Sequence, residues 1–93
     1  MTSVILEKNK ADLKPYPNYK VILLNDEINT FDHVENCLLK HIPGMNSVKA
    51  HKLALETHTE GLSIVWTGPM EQAELYYELL KQEGLSMSLE QDA

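Results

Sequence analysis

Tyr19-Lys20-Val21-Ile22-Leu23-Leu24-Asn25-Asp26-Glu27 is the stretch on which the fold turns. Its first six residues are β-prone, and the polar triplet after them stops the run. A strand with one wet face alternates apolar and polar residues. Val21 to Leu24 is apolar throughout, so this strand is expected to be covered on both faces. Downstream, Phe31, Val34, Leu38 and Ile42 recur at steps of three and four, the period of a helix. Asn29 or Thr30 can cap it, and Asp32 is favourable in its first turn. Pro43-Gly44 ends it. Asn46-Ser47 can cap a second helix, with a weaker stripe of Val48, Ala50, Leu53, Ala54 and Thr57. Thr59-Glu60-Gly61 reads as a turn and Leu62-Ser63-Ile64-Val65-Trp66-Thr67 as a second strand. Gly68-Pro69 is expected to open a third helix, since proline suits a first turn. Met70, Ala73, Tyr77 and Leu80 would form its buried face, and Gly84 its stop. Leu85-Ser86-Met87-Ser88-Leu89 alternates as a half-exposed strand does.

The element order is therefore β-α-α-β-α-β. The expected class is α+β, a small three-stranded antiparallel sheet packed with three helices. Residues 1–18 are polar, aperiodic and interrupted by Pro15 and Pro17, and are expected to be a flexible N-terminal tail. Residues 19–90 form the core, and 91–93 a short C-terminal tail.

Ninety-three residues suffice for one domain with a single core. The charge is uneven: residues 1–20 carry four lysines against two acids, whereas residues 21–93 carry four lysines against twelve acids, a body of −8 without arginine. Such a surface repels a phosphate backbone, which argues against nucleic acid as a partner. The longest apolar runs fall far short of the roughly 18 residues of a membrane span. A lone Cys37 can close no internal disulfide. Together these point to a reducing, cytosol-like compartment.

Three places could carry chemistry. Asn25-Asp26-Glu27 ends the most buried strand. The plain reading is a polar turn; the sharper one is a fixed group of oxygens suited to an ammonium, offering acceptors and an opposite charge. His58 falls at the end of the second helix, just before the turn, where a polar side chain can face a groove, and a neutral imidazole has one acceptor nitrogen. His33, Cys37 and His41 share a helix face at steps of four, a conceivable metal site, but they adjoin the apolar stripe and lack a fourth ligand. Glu71, Glu74 and Glu78 make an acidic edge on the third helix, either a solvated face or a docking edge for a basic partner. No Gly-x-Ser-x-Gly elbow or glycine-rich phosphate loop is present, and catalysis has no constellation.

Taken together, the strand ending in Asn25-Asp26-Glu27, Phe31-x-x-Val34, Leu53-Ala54-Leu55-Glu56-Thr57-His58-x-x-Gly61 and Glu71-x-x-Glu74 resemble the ClpS family, over about residues 16–90. That family supplies adaptors that hand N-end-rule substrates to a Clp AAA+ unfoldase and its peptidase. The resemblance implies that Asn25, Asp26 and His58 grip the free α-amino group of a substrate. An apolar pocket for the first side chain would use Ile28, Asn29, Thr30 and Phe31 from the loop and helix start. Val34, Ala54, Thr57 and Leu85 would complete it. Glu71, Glu74 and Tyr76 would lie on the surface that docks the N-terminal domain of the unfoldase, and the tail would reach the same partner. The implied substrates begin with Phe, Tyr, Trp or Leu; the adaptor would be a monomer without cofactor or metal.

Several positions depart from the family. Asn29-Thr30-Phe31 stands where Thr-Pro-Met is frequent, Ala54 where Met is common, Thr57 where Val is, and Tyr76 where a lysine is often found. Ala54 opens space and Phe31 fills some from the other side, so the preference among first residues is expected to shift, with Leu losing most. Thr57 either offers its hydroxyl to a tyrosine or copies the shape of valine. Two other classes compete: an α/β interaction module resembling the ribosomal stalk C-terminal domain, with no N-terminus pocket, and a metal- or thiol-dependent enzyme using His33, Cys37 and His41.

Overall fold

The computed structural model describes residues 17–92. The expected tail falls outside the described residues up to Tyr16, as does Ala93. Six elements follow in the expected order: β1 (Asn18–Leu24), α1 (Phe31–His41), α2 (Ser47–Glu60), β2 (Leu62–Pro69), α3 (Met70–Gln82) and β3 (Met87–Gln91). The sheet runs β2-β1-β3, with β1 central and antiparallel to both neighbours. Val21, Ile22 and Leu23 are 0%, 4% and 2% exposed, the two-sided burial that their unbroken apolarity implies. Val21 and Leu23 meet Leu38 of α1, Ala50 of α2, and Ala73 and Leu80 of α3 in one core.

The ends of the helices follow local chemistry. Of the two candidate caps for α1, Thr30 takes the role, its hydroxyl accepting from the His33 N–H at 3.1 Å. Asn46 caps α2 in the same way, from the Lys49 N–H at 2.9 Å. Gly61, at φ 95°, ends α2 in a left-handed turn that side chains resist.

Four details differ from the expectations. Ile42 is buried, but as the C-cap residue beyond α1, not as its last stripe position. Val48 is 79% exposed. At about 100° per residue it lies roughly 200° around the helix from Ala50, on the far side from the core. Gly68 and Pro69 belong to β2, and α3 begins at Met70, which is 47% exposed and not part of the buried face. Gly68 stays in the strand beneath the Trp66 ring: a Cβ there would lie 2.3 Å from the ring's Cη2 atom. Finally, β3 starts at Met87 and runs one residue into the stretch expected as tail. Leu85 is buried ahead of the strand, in the turn that leaves α3.

Candidate functional site

The end of β1 and the second half of α2 meet at a small pocket. Two backbone bonds place the meeting point: the Asn25 N–H donates to the Gly61 carbonyl at 2.9 Å, and the Leu24 N–H to the Ser86 carbonyl at 2.8 Å. The first draws the end of β1 against the turn after α2, so Asn25 and His58 arrive on the same rim. The second brings in the α3–β3 turn and, with it, Leu85. The resulting cavity is about 50 Å³, and Asn25, Asp26 and His58 are among its lining residues. Its apolar walls come from Leu23, Phe31, Val34, Ala54 and Leu85, with Leu24, Asn29 and Thr57 completing it.

Six of the eight pocket residues expected from the sequence line this cavity: Asn29, Phe31, Val34, Ala54, Thr57 and Leu85. Two do not. Ile28 points to solvent at 86% exposure, because its backbone N–H is tied to Asp26 and the tight loop turns its side chain outward. Thr30 spends its hydroxyl on the α1 cap.

Asp26 is the organiser of the loop. Its Oδ1 accepts from the N–H groups of Ile28 at 3.0 Å and Asn29 at 2.8 Å. Its Oδ2 accepts from the Asn29 side-chain amide at 2.8 Å and the Ser86 hydroxyl at 2.7 Å. The Asn29 amide also donates to the Gly84 carbonyl at 2.9 Å. These bonds to the ionised form, the Asn29 N–H foremost and then Ser86, bring the carboxyl down from an ordinary 3.8 to about 2. Asp26 therefore has its acceptors filled by its own loop and by Ser86, contrary to the simple picture of an acid waiting for an amine. Its charge nevertheless remains beside the pocket. Asn25 and His58 keep their side chains open to solvent.

The Thr57 hydroxyl is engaged inside the fold. It donates to the Leu53 carbonyl at 2.8 Å and accepts from Ser63, 2.7 Å away, whose own side chain is buried. Both bonds hold the Thr57 hydroxyl to its own helix and to β2.

His33 and His41 serve a different end from metal binding. The His33 Nε2–H donates to the Glu83 carbonyl at 2.8 Å. Glu83 Oε2 accepts from His41 Nε2 at 2.7 Å and Lys40 Nζ at 3.0 Å. The His41 bond, followed by the Lys40 bond, lowers the Glu83 carboxyl from 4.5 to about 2. α1 is thus latched to the turn that carries Leu85. Among the described residues no group of three or more His, Cys, Asp or Glu is arranged to hold a metal ion. Burial first, and then the Glu83 charge, push the Cys37 thiol up, which disfavours the thiolate that a thiol enzyme needs. The part that Glu83, Gly84 and Ser86 play beside the pocket carries no signal in the sequence, because their partners stand 42 to 60 residues away.

On the third candidate surface, Glu71 and Glu74 are exposed near the start of α3. Tyr76 instead packs edge-on against Trp66, with ring centroids 4.9 Å apart. No helix among the described residues is long and apolar enough to cross a membrane.

Residues 14–88 match the family described as ATP-dependent Clp protease adaptor protein ClpS. The Clp protease adapter ClpS of Synechocystis sp. is 59% identical over 75 residues, covering 81% of this chain and 76% of the relative. That of Thermosynechococcus vestitus is 54% identical over 89 residues, covering 95% of each. Among solved structures, Agrobacterium tumefaciens ClpS2 bound to L-phenylalaninamide superposes with a TM-score of 0.70 at 23% identity, covering 82% of this chain and 98% of that one, a likeness of fold.

Proposed function

The chain belongs to the ClpS family of adaptors for the ATP-dependent Clp protease, and on that basis we propose that its pocket captures the free N-terminal residue of a substrate protein. The observation that carries this reading is that Asn25, Asp26 and His58 line one cavity together with Leu23, Phe31, Val34, Ala54 and Leu85. An N-terminal residue has matching halves, an ammonium and a side chain. Asn25 and His58 offer acceptors to the amine, while the ionised Asp26 supplies the opposite charge. The walls take a bulky apolar side chain. An internal Phe or Leu brings no ammonium, so these polar groups would lose water without a partner, at about 1–3 kcal/mol each. The fold neighbour carries a ligand of the same two halves, an amino-acid amide with a free amine and a phenyl ring. The competing pocket-free interaction module gives no reason for this convergence.

Delivery is assigned to the other end of the molecule. Glu71 and Glu74 form the docking edge for the N-terminal domain of the unfoldase, and Tyr76 supports that edge through Trp66. The described chain begins at Pro17, which shares a surface groove with Met70 and Glu71. The adaptor would act as a monomer, in the cytoplasm or plastid stroma.

The test is a titration with peptides that differ only in residue one, run with free and acetylated amines. Peptides starting with Phe, Tyr or Trp should bind, Leu should bind less, and acetylation should abolish binding. Equal binding of free and acetylated peptides would refute the amine site. Equal affinity for Leu and Phe would remove the pocket-reshaping argument while leaving the site intact.

A further inference from the structure

Phe31 closes the pocket from the α1 side, and its ring stands between two imidazoles of α2. Its centroid is 5.5 Å from that of His58, in edge-on geometry, and 6.3 Å from that of His51, both inside the range of favourable aromatic pairs. His51 and His58 are seven residues apart, two turns along one helix face. Between them on that face lies Ala54, whose single methyl leaves room for the ring. His51 is in turn tied down: its Nδ1–H donates to Glu35 Oε2 at 2.8 Å, and Glu35 stands one turn beyond Phe31 on α1. The His51 side chain is 61% exposed, so it contributes little to the core.

The cavity that Phe31 helps to line is about 50 Å³. An engineered cavity that admits one benzene measures about 150 Å³. A phenyl or leucyl side chain therefore does not enter the pocket as it stands.

We propose that Glu35 and His51 form a clamp that seats the Phe31 ring across the pocket, and that a substrate side chain enters only when this ring moves aside. The inference rests on the N-terminal-residue reading of the pocket and deepens it. The closed form reduces the apparent affinity by the fraction of molecules it occupies. Glu35 and His51 are then positioning residues: they touch no substrate and set how often the pocket is open.

Phe31 is the only phenylalanine in the chain, so replacing it with 4-fluorophenylalanine gives one ¹⁹F resonance that reports this ring alone. The full chain is compared as wild type, His51→Ala, Glu35→Ala and His51→Gln, the last retaining a donor for Glu35 but no ring. In the unliganded proteins, His51→Ala and His51→Gln should shift the resonance strongly, and Glu35→Ala should shift it in the same direction. A peptide with a free N-terminal Phe should move the wild-type resonance that way too, and His51→Ala should tighten its binding by about three- to tenfold. An unchanged resonance in unliganded His51→Ala overturns the clamp, as does a wild-type resonance unmoved by bound peptide. If no free-amine peptide binds wild type, the N-terminal-residue reading fails, while the unliganded spectra still decide whether His51 seats Phe31.

Discussion

With both oxygens of Asp26 taken up by hydrogen bonds within and beyond its loop, the carboxylate has a structural duty as well as an electrostatic one. Its folded pKa of about 2 lies below the ordinary 3.8, so it stabilises the fold above pH 4, and that stabilisation disappears as pH falls toward 2. Glu83, lowered from 4.5 to about 2, acts in the same direction over the same window. Urea unfolding followed from pH 5 to 2 should therefore show a falling midpoint, and the fall should flatten in an Asp26→Asn, Glu83→Gln double variant. A second residue-level expectation concerns Thr57. Replacing it with valine removes the bond to Leu53 and leaves the buried Ser63 hydroxyl without its acceptor, at a cost of about 1–2 kcal/mol. The ratio of affinities for Tyr-first and Phe-first peptides should not change, because that hydroxyl is already bonded to Leu53 and Ser63. A changed ratio would mean that Thr57 rotates on binding. From residue types alone, Asn25, Asp26 and His58 could be singled out; that Asp26 is already satisfied could not, since Ser86 lies 60 positions along the chain.

At the scale of elements, the period and caps of the sequence locate all three helices and all three strands, and the errors are confined to their ends. Gly68-Pro69 reads locally as a helix start, yet the pair extends β2, because pairing with Asn18 and Tyr19 and the close approach of Trp66 outweigh the local signal. That packing is testable. Gly68→Ala would force the Trp66 ring to shift and disturb its contact with Tyr76. The emission of this single tryptophan should move, with a loss of stability of about 1–3 kcal/mol. Unaltered emission would show that the strand yields instead of the ring. The α1 face of His33, Cys37 and His41 teaches the complementary lesson. Residues of ligating type at ligating spacing are used here to fasten a helix to the α3–β3 turn, and only the position of Glu83 distinguishes the two uses.

Across the whole molecule, α3 separates the two proposed working surfaces. Glu71 stands at its start and Glu83 just past its end, twelve residues or roughly 18 Å of helix apart. Strand β1 spans the same gap in the same direction, from Asn18 beside the docking edge to Asn25 at the pocket. Substrate capture and partner docking should accordingly separate by mutation. Glu71→Lys should leave peptide affinity unchanged and weaken association with the unfoldase by about three- to tenfold at low salt, whereas Asp26→Ala should abolish peptide binding and spare docking. Equal loss of both functions in both variants would show that the two ends are not independent. The sequence was enough to establish the element order, the buried central strand, the acidic surface and the family, because these depend on periodicity, composition and motifs that are local in the chain. The closed state of the pocket, the satisfaction of Asp26 and the latch at Glu83 arise from side chains brought together across 16 to 60 residues. Such contacts leave no periodic trace, and only the packing of α1, α2 and the α3–β3 turn against one another brings them into being.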